Sequence, residues 1–207
     1  GAMLGFLSLR FTLLRNDLID EDQTLRQLAA ELNASRFEAI AKRATNTFNK
    51  PVRINNVRIF EPQTLSLSEP KSALLNQNKI AAIEPVVQTP SPNEVVIEGN
   101  GGTLIPGLYE MHGHMSDDDA LLNVMAGVTS VRDMGNEMEV LEALEDKIKR
   151  NVLIGPRISK SAFIEGKSPF SNATGELAAS EQEAVDLIKM YAERGDYHQI
   201  KIYSSVK

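Results

Sequence analysis

The chain has 207 residues, a net charge of −6 and no cysteine. Hydrophobic residues make up 42% and charged residues 24%, the balance of a globular protein with material for a sizeable core. The acidic surplus argues against a nucleic-acid surface, the missing cysteine excludes disulfides and thiol chemistry, and the longest apolar run, residues 4–14, is short and interrupted by Arg10, so no membrane span is expected.

Gly1-Ala2-Met3 reads as a cloning scar, which leaves the natural start and the compartment open: cytoplasmic, or exported with a leader removed. Residues 4–14 have strand character. Two helices are expected next, over 22–32 (Leu25, Leu28, Ala29 and Leu32 on one face) and 36–49 (Phe37, Ile40, Ala41, Ala44 and Phe48). Ser35 and Glu38 form a capping-box pattern before the second. Residues 1–50 thus read as an appendage without chemistry.

Residues 51–102 read as short strands separated by turns. Val52-Arg53-Ile54 and Val57-Arg58-Ile59 alternate, and 72–75, 79–83 and 94–98 follow, with a turn at Asn76-Gln77-Asn78. The pattern suggests a small β-sandwich. From Thr103 strands alternate with helices: strands at 104–111, 128–132, 157–164 and 199–204, helices at 119–126, 137–150 and 181–194. Ser180 and Glu183 form a capping box for the last helix and Gly195 ends it. This α/β order implies parallel strands with right-handed crossovers, over 103–207.

His112-Gly113-His114 is the sharpest chemical signal. Residues i and i+2 of a strand point to one side, so both imidazoles can reach one metal ion, and Gly113 lets the backbone bend or approach closely. Sites of parallel βα barrels lie at the C-terminal ends of strands, where this pair falls, and imidazole suits zinc and similar divalent ions. Asp117-Asp118-Asp119 reads as a helix N-terminus, where acids meet the helix dipole. His198 falls at the opposite, N-terminal end of its strand and reads as non-catalytic. The loop over 165–176, rich in Ser, Gly and Asn, lies on the catalytic side; a substrate-shaping role and a plain solvated loop are equally open.

Leu104-Ile105-Pro106-Gly107-Leu108-Tyr109-Glu110-Met111-His112-Gly113-His114 resembles the first-strand signature of the amidohydrolase superfamily. Gly127-Val128-Thr129-Ser130-Val131-Arg132-Asp133-Met134-Gly135 resembles the second-strand segment of its imidazolonepropionase and prolidase-like branch. Residues 57–102 match the small β-sandwich that precedes the barrel there, and the resemblance spans about 52–207. It implies a TIM-like (β/α)8 barrel, of which this chain carries about four βα units. It implies one or two divalent ions, zinc first, with His112 and His114 as ligands of the more buried one, and Lys201, carbamylated, as a further ligand. It implies hydroxide generated at the metal that hydrolyses a C–N bond in an amide, dipeptide-like or cyclic amide. Asp133 belongs to the family's Arg-Asp pair, for which a structural or loop-orienting role is expected rather than catalysis; Glu110 stands where the family has aspartate.

The pattern also implies two further histidines and a catalytic aspartate from later strands. Only His112, His114 and His198 exist here, and a whole barrel commonly takes ~250 residues. The chain therefore reads as an N-terminal portion, an engineered or natural truncation. By itself it is expected to turn over little or no substrate and to self-associate through exposed barrel edges. The competing reading is a non-catalytic binding or assembly module that keeps part of the fold.

Overall fold

The computed structural model describes residues 5–7, 12–172 and 174–203. The cloning-scar reading of Gly1-Ala2-Met3, part of the strand expected over 4–14 and the end of the strand expected at Ser204 lie outside those residues. By contacts the chain divides into two compact units, residues 46–107 and the remainder on both sides of them. No helix is long and apolar enough to cross a membrane.

In the larger unit, β1 (Gly5–Leu7) and β2 (Thr12–Leu14) pair antiparallel. A 3-10 turn (Asn16–Glu21) leads into α1 (Asp22–Ala44). This is one helix where the sequence suggested two. The stretch Asn33-Ala34-Ser35-Arg36 holds neither glycine nor proline, and interior Asn and Ser cost only about 0.5 kcal/mol each, so the helix runs through the Ser35 capping pattern. Its Ala41 is buried and Phe37 packs beside it, among Leu141, Leu144 and Leu153. Residues before Thr45 therefore share a core with the βα series and do not stand apart from it.

Residues 46–107 form one five-stranded sheet of β3 (Val52–Glu61), β4 (Ser66–Leu67), β5 (Lys71–Asn76), β6 (Lys79–Pro85) and β7 (Val95–Leu104). Among the described residues this replaces the expected sandwich of two sheets. Strand periodicity shows which residues alternate, not which strand lies beside which. The two expected strands around Val52 and Val57 are one strand, β3, with a register shift between Ile54 and Val57 and Asn56 at φ 53°. Asparagine tolerates that left-handed geometry, so the chain bulges without ending the strand. β3 pairs antiparallel with β5 and parallel with β7. Arg53 is buried on β3, held by Glu94 at 2.6 Å and Glu84 at 2.8 Å. Beside it the buried Asn55 accepts from the Ser72 hydroxyl and from Val87 N at 3.1 Å.

The βα series follows as β8 (Leu108–Gly113), α2 (Asp117–Met125), β9 (Val128–Asp133), α3 (Met138–Lys149), β10 (Arg157–Gly166), β11 (Glu176–Ala178), α4 (Glu181–Arg194) and β12 (Tyr197–Ile202). β8, β9, β10 and β12 lie side by side in that order, all parallel, as the alternation implies. The short β11, not anticipated, pairs parallel with the C-terminal end of β10. From Lys160 to Gly166, β10 is buried on both faces. One face packs on α4, where Ala162, Ile164, Ala178 and Tyr191 form a core. α4 has its expected bounds because Ser180 Oγ accepts from Glu183 N at 3.2 Å while Glu183 Oε2 accepts from Ala179 N at 2.7 Å.

Candidate metal centre

The strand pattern of β8 sends His112 and His114 to one side of the sheet at its C-terminal end. Their ring centroids are 5.6 Å apart and the planes are inclined at 52°. His112 is exposed and His114 half-buried. Gly113 between them lies against β9. A Cβ there would meet Val131 Cγ1 at 2.7 Å, so a larger residue would press on β9 at the point between His112 and His114.

The end of β8 is strapped by its neighbours. Arg132 Nε donates to Met111 O at 2.7 Å, and His112 N donates to Glu110 Oε1, also at 2.7 Å. Glu110 thus folds its longer arm back onto its own strand. Asp133 is fully buried and its carboxylate accepts from Met115 N at 2.7 Å, from Gly135 N at 3.0 Å and from Asn136 Nδ2 at 3.3 Å. That arrangement fits the loop-orienting role expected of it. Gly135 sits at φ 125°, a backbone region essentially reserved for glycine, and a Cβ would stand 2.8 Å from Phe163 Cβ. Its carbonyl is 2.6 Å from His114 Nδ1.

Lys201 lies on β12 with Phe163 as its register partner on β10. Its Nζ is 5.0 Å from the Phe163 ring centroid and 4.8 Å from that of Tyr203, and the two rings meet edge to face. The amine is cradled by aromatic faces. No hydrogen bond joins it to either imidazole, and among the described residues no group of three His, Cys, Asp or Glu side chains gathers to hold a metal. The structure therefore brings His112 and His114 together and leaves Lys201 on its aromatic seat.

The remaining candidates fall where the sequence put them. Asp117, Asp118 and Asp119 occupy the first turn of α2, with Ser116 Oγ donating to Asp118 at 2.6 Å and to Asp119. Asp117 also meets Lys147 Nζ at 2.5 Å. Burial opposes the charge on Lys147, but hydrogen bonds to Asp117 and Glu38 outweigh it and raise its pKa. His198 is exposed in the first half of β12. In the 165–176 loop Glu165 is buried and accepts from Asn172 N at 2.7 Å, so the loop is partly built from within. A cavity of about 210 Å³ opens beside it, lined among others by Asn136, Glu137, Thr174, Glu176 and Tyr191. The Gly135 carbonyl and the aromatic seat of Lys201 were not foreseen. The only signal for the first was the Asp-x-Gly spacing, which favours a side chain capping the backbone two residues on.

The two imidazoles fit a divalent ion of the zinc type as two of its donors: nitrogen ligands on one face, one anchored through its second nitrogen as ligating histidines are. The remaining donors of a four-coordinate site do not come from any other His, Cys, Asp or Glu cluster among the described residues.

The same fold occurs in solved amidohydrolase structures. The chain is similar to a prolidase-like protein from Bifidobacterium longum, with a TM-score of 0.65 and 19% identity, covering 78% of this chain and 42% of that one. It is similar to a Xaa-Pro dipeptidase with methionine bound in its active site (TM-score 0.60, 19% identity, 73% of this chain, 46% of that one). Bottromycin amidohydrolase gives a TM-score of 0.60 at 17% identity over 84% of this chain and 36% of its own. The chain spans less than half the length of each of these structures. No family profile and no curated protein matches the sequence. What is shared is the α/β fold of the prolidase-like and amidohydrolase structures, as the two strand motifs led one to expect.

Proposed function

We propose that this chain supplies the first part of a metal-dependent amidohydrolase, acting on the C–N bond of an amide, dipeptide-like or cyclic amide substrate. The observation that carries the reading is the pair of imidazoles side by side at the C-terminal end of β8, with His114 Nδ1 held by a carbonyl. That leaves Nε2 of His114 and the ring of His112 to hold a divalent ion. Such an ion, when bound, polarises a carbonyl and activates water. The chain's own contribution is to place two nitrogen donors, exclude alternatives to their geometry through Asp133, Arg132 and Glu110, and offer the loop and cavity beside Glu176 for a substrate. Lys201 joins the metal only as a carbamate, which must leave the aromatic seat its cationic form occupies. Mass spectrometry of the intact chain in bicarbonate, with Lys201→Ala as reference, reads that modification directly.

The test of the central claim is zinc binding by calorimetry. Weak binding by the wild-type chain, lost in both His112→Ala and His114→Ala and kept in His198→Ala, supports it. Equal binding by all four chains would sink it.

Self-association belongs to the same proposal. Tyr109 and Met111 on β8 are 67% and 52% exposed, and Ile202 on β12 is 54% exposed. Among the described residues each of these strands is paired along one edge only. Unpaired edges beside apolar side chains recruit further strands. Size-exclusion chromatography over a dilution series should show species larger than 22.8 kDa; a monomer at all concentrations would refute this.

A further inference from the structure

His114 is fixed at one ring nitrogen by a main-chain carbonyl, and the position of that carbonyl depends on a residue that touches neither the ring nor its open side. The Gly135 oxygen 2.6 Å from Nδ1 can only accept, so Nδ1 carries the proton and Nε2 the lone pair. Gly135 N donates to one oxygen of Asp133 at 3.0 Å, and Met115 N, directly after His114, donates to the other at 2.7 Å. One buried carboxylate thereby ties the residue after the histidine to the loop that holds the histidine's partner. Asn136 Nδ2 closes the ring of contacts, donating to Met115 O at 2.7 Å and to Asp133 at 3.3 Å.

We infer that Asp133 is a positioning residue that selects the Nδ1–H tautomer of His114 and so presents its Nε2 lone pair to a cation. The chemistry is specific to the carboxylate. It offers acceptors on both sides, one to each strand-end amide. An asparagine would turn an NH2 group toward Met115 N–H or Gly135 N–H, donor against donor, and that segment would move. Displacing the Gly135 carbonyl by about 1 Å takes it beyond hydrogen-bond reach of Nδ1, and nothing then holds the proton there. What the lone pair is for rests on the proposed metal role; the tautomer does not.

The test is a proton–nitrogen correlation spectrum of the imidazoles of the full chain, isotope-labelled at histidine, metal-free, and at a pH well above the ordinary histidine pKa of ~6.5. His112→Gln and His198→Gln each remove one set of signals and assign the third. Wild-type His114 is expected as the Nδ1–H tautomer, Asp133→Asn as the Nε2–H form or a mixture, and Asn136→Ala as a smaller change in the same direction. Wild-type His114 protonated at Nε2 overturns the inference, as does an unchanged Nδ1–H signal in folded Asp133→Asn. Should that variant not fold, Asn136→Ala decides in its place. Zinc titration of the same samples is scored separately, with affinity in Asp133→Asn expected to fall by roughly tenfold or more. A chain that shows the expected tautomers and binds no zinc disproves the metal reading and leaves the positioning role standing.

Discussion

Strand β3, in residues 46–107, and the C-terminal end of β8, in the βα series, both carry polar side chains, and they use them in opposite ways. On β3, Arg53 is buried between Glu84 and Glu94, and its hydrogen bond holds the Glu94 carboxyl below the usual carboxylate range. Asn55, next along the same face, spends its amide on Val87 O and Glu98 and its oxygen on Ser72 and Val87 N. The two buried polar side chains of β3, Arg53 and Asn55, are thus each met by polar partners. On β8 the His112 ring stands exposed, and just past the strand His114 commits one nitrogen only among the described residues. Buried polar groups are paired as a rule, so chemistry is to be sought where pairing is deliberately left half finished. The comparison separates a strand that spends its buried polarity on cohesion from the strand end to which a ligand role is proposed.

The comparison is sharpest at Asp133, which is buried and paired like Arg53 but spends its carboxylate on the amides of Met115, directly after His114, and of Gly135. Asp133→Ala leaves Met115 N and Gly135 N without acceptors, and should cost about 3 kcal/mol in chemical denaturation. A loss under about 1 kcal/mol would break the contrast, because the clamp would then hold nothing. Asn55→Ala removes a group of the purely cohesive kind and should cost about 2 kcal/mol, with zinc binding unchanged. Any effect on zinc affinity there would blur the division. Ser180→Ala, at the cap of α4, should cost about 1 kcal/mol and likewise spare zinc.

A charge cluster packed outside the sheet gives a pH-dependent version of the same test. Asp196 is pushed up by burial, but hydrogen bonds from Lys160 and Arg194 outweigh this and bring its pKa to about 2. Its folded pKa lies below the ~3.9 of an unfolded aspartate, so its contribution is present above about pH 4 and fades as pH falls through about 2. The urea midpoint of Asp196→Asn should therefore lie below wild type at neutral pH, and the gap should close by pH 2; a gap independent of pH would remove the ion pair from the account. The smallest effect on stability belongs to His112→Ala, within about 0.5 kcal/mol because the ring is exposed. The same substitution is expected to have a large effect on zinc. A residue that matters for the ligand and hardly at all for folding is what the comparison requires of β8.

The parts of this molecule legible in the sequence are those governed by local chemistry. Ser180, Glu183 and Gly195 mark α4 to the residue, because each acts on backbone groups within a turn of itself. His112 and His114 could be paired on paper because a strand repeats every two residues. Neighbour relations across the sheet were not legible. Val52–Ile59 read as two strands because nothing local reveals that Asn56 bulges and continues. The sandwich became a single sheet because β7 returns parallel beside β3, a choice made by long-range pairing. Lys201 was expected, from the resemblance, as a carbamylated metal ligand. Its seat between Phe163 and Tyr203 follows from the register of β10 with β12, which fixes Phe163 as its partner.

The bond from His114 to Gly135 uses a main-chain oxygen, and this makes the anchor unusual as an object of variation. No side-chain replacement at position 135 can delete the acceptor, since every amino acid brings the same carbonyl. Yet any side chain at all would run into Phe163 and strain a φ of 125°. The contact is thus immune to changes of chemistry and exposed to changes of size. Trimming Phe163 would not free position 135, because the nearest obstacle is the Cβ that every residue but glycine keeps and the φ would stay strained; the orientation of the His114 ring is thereby tied to a glycine on another segment.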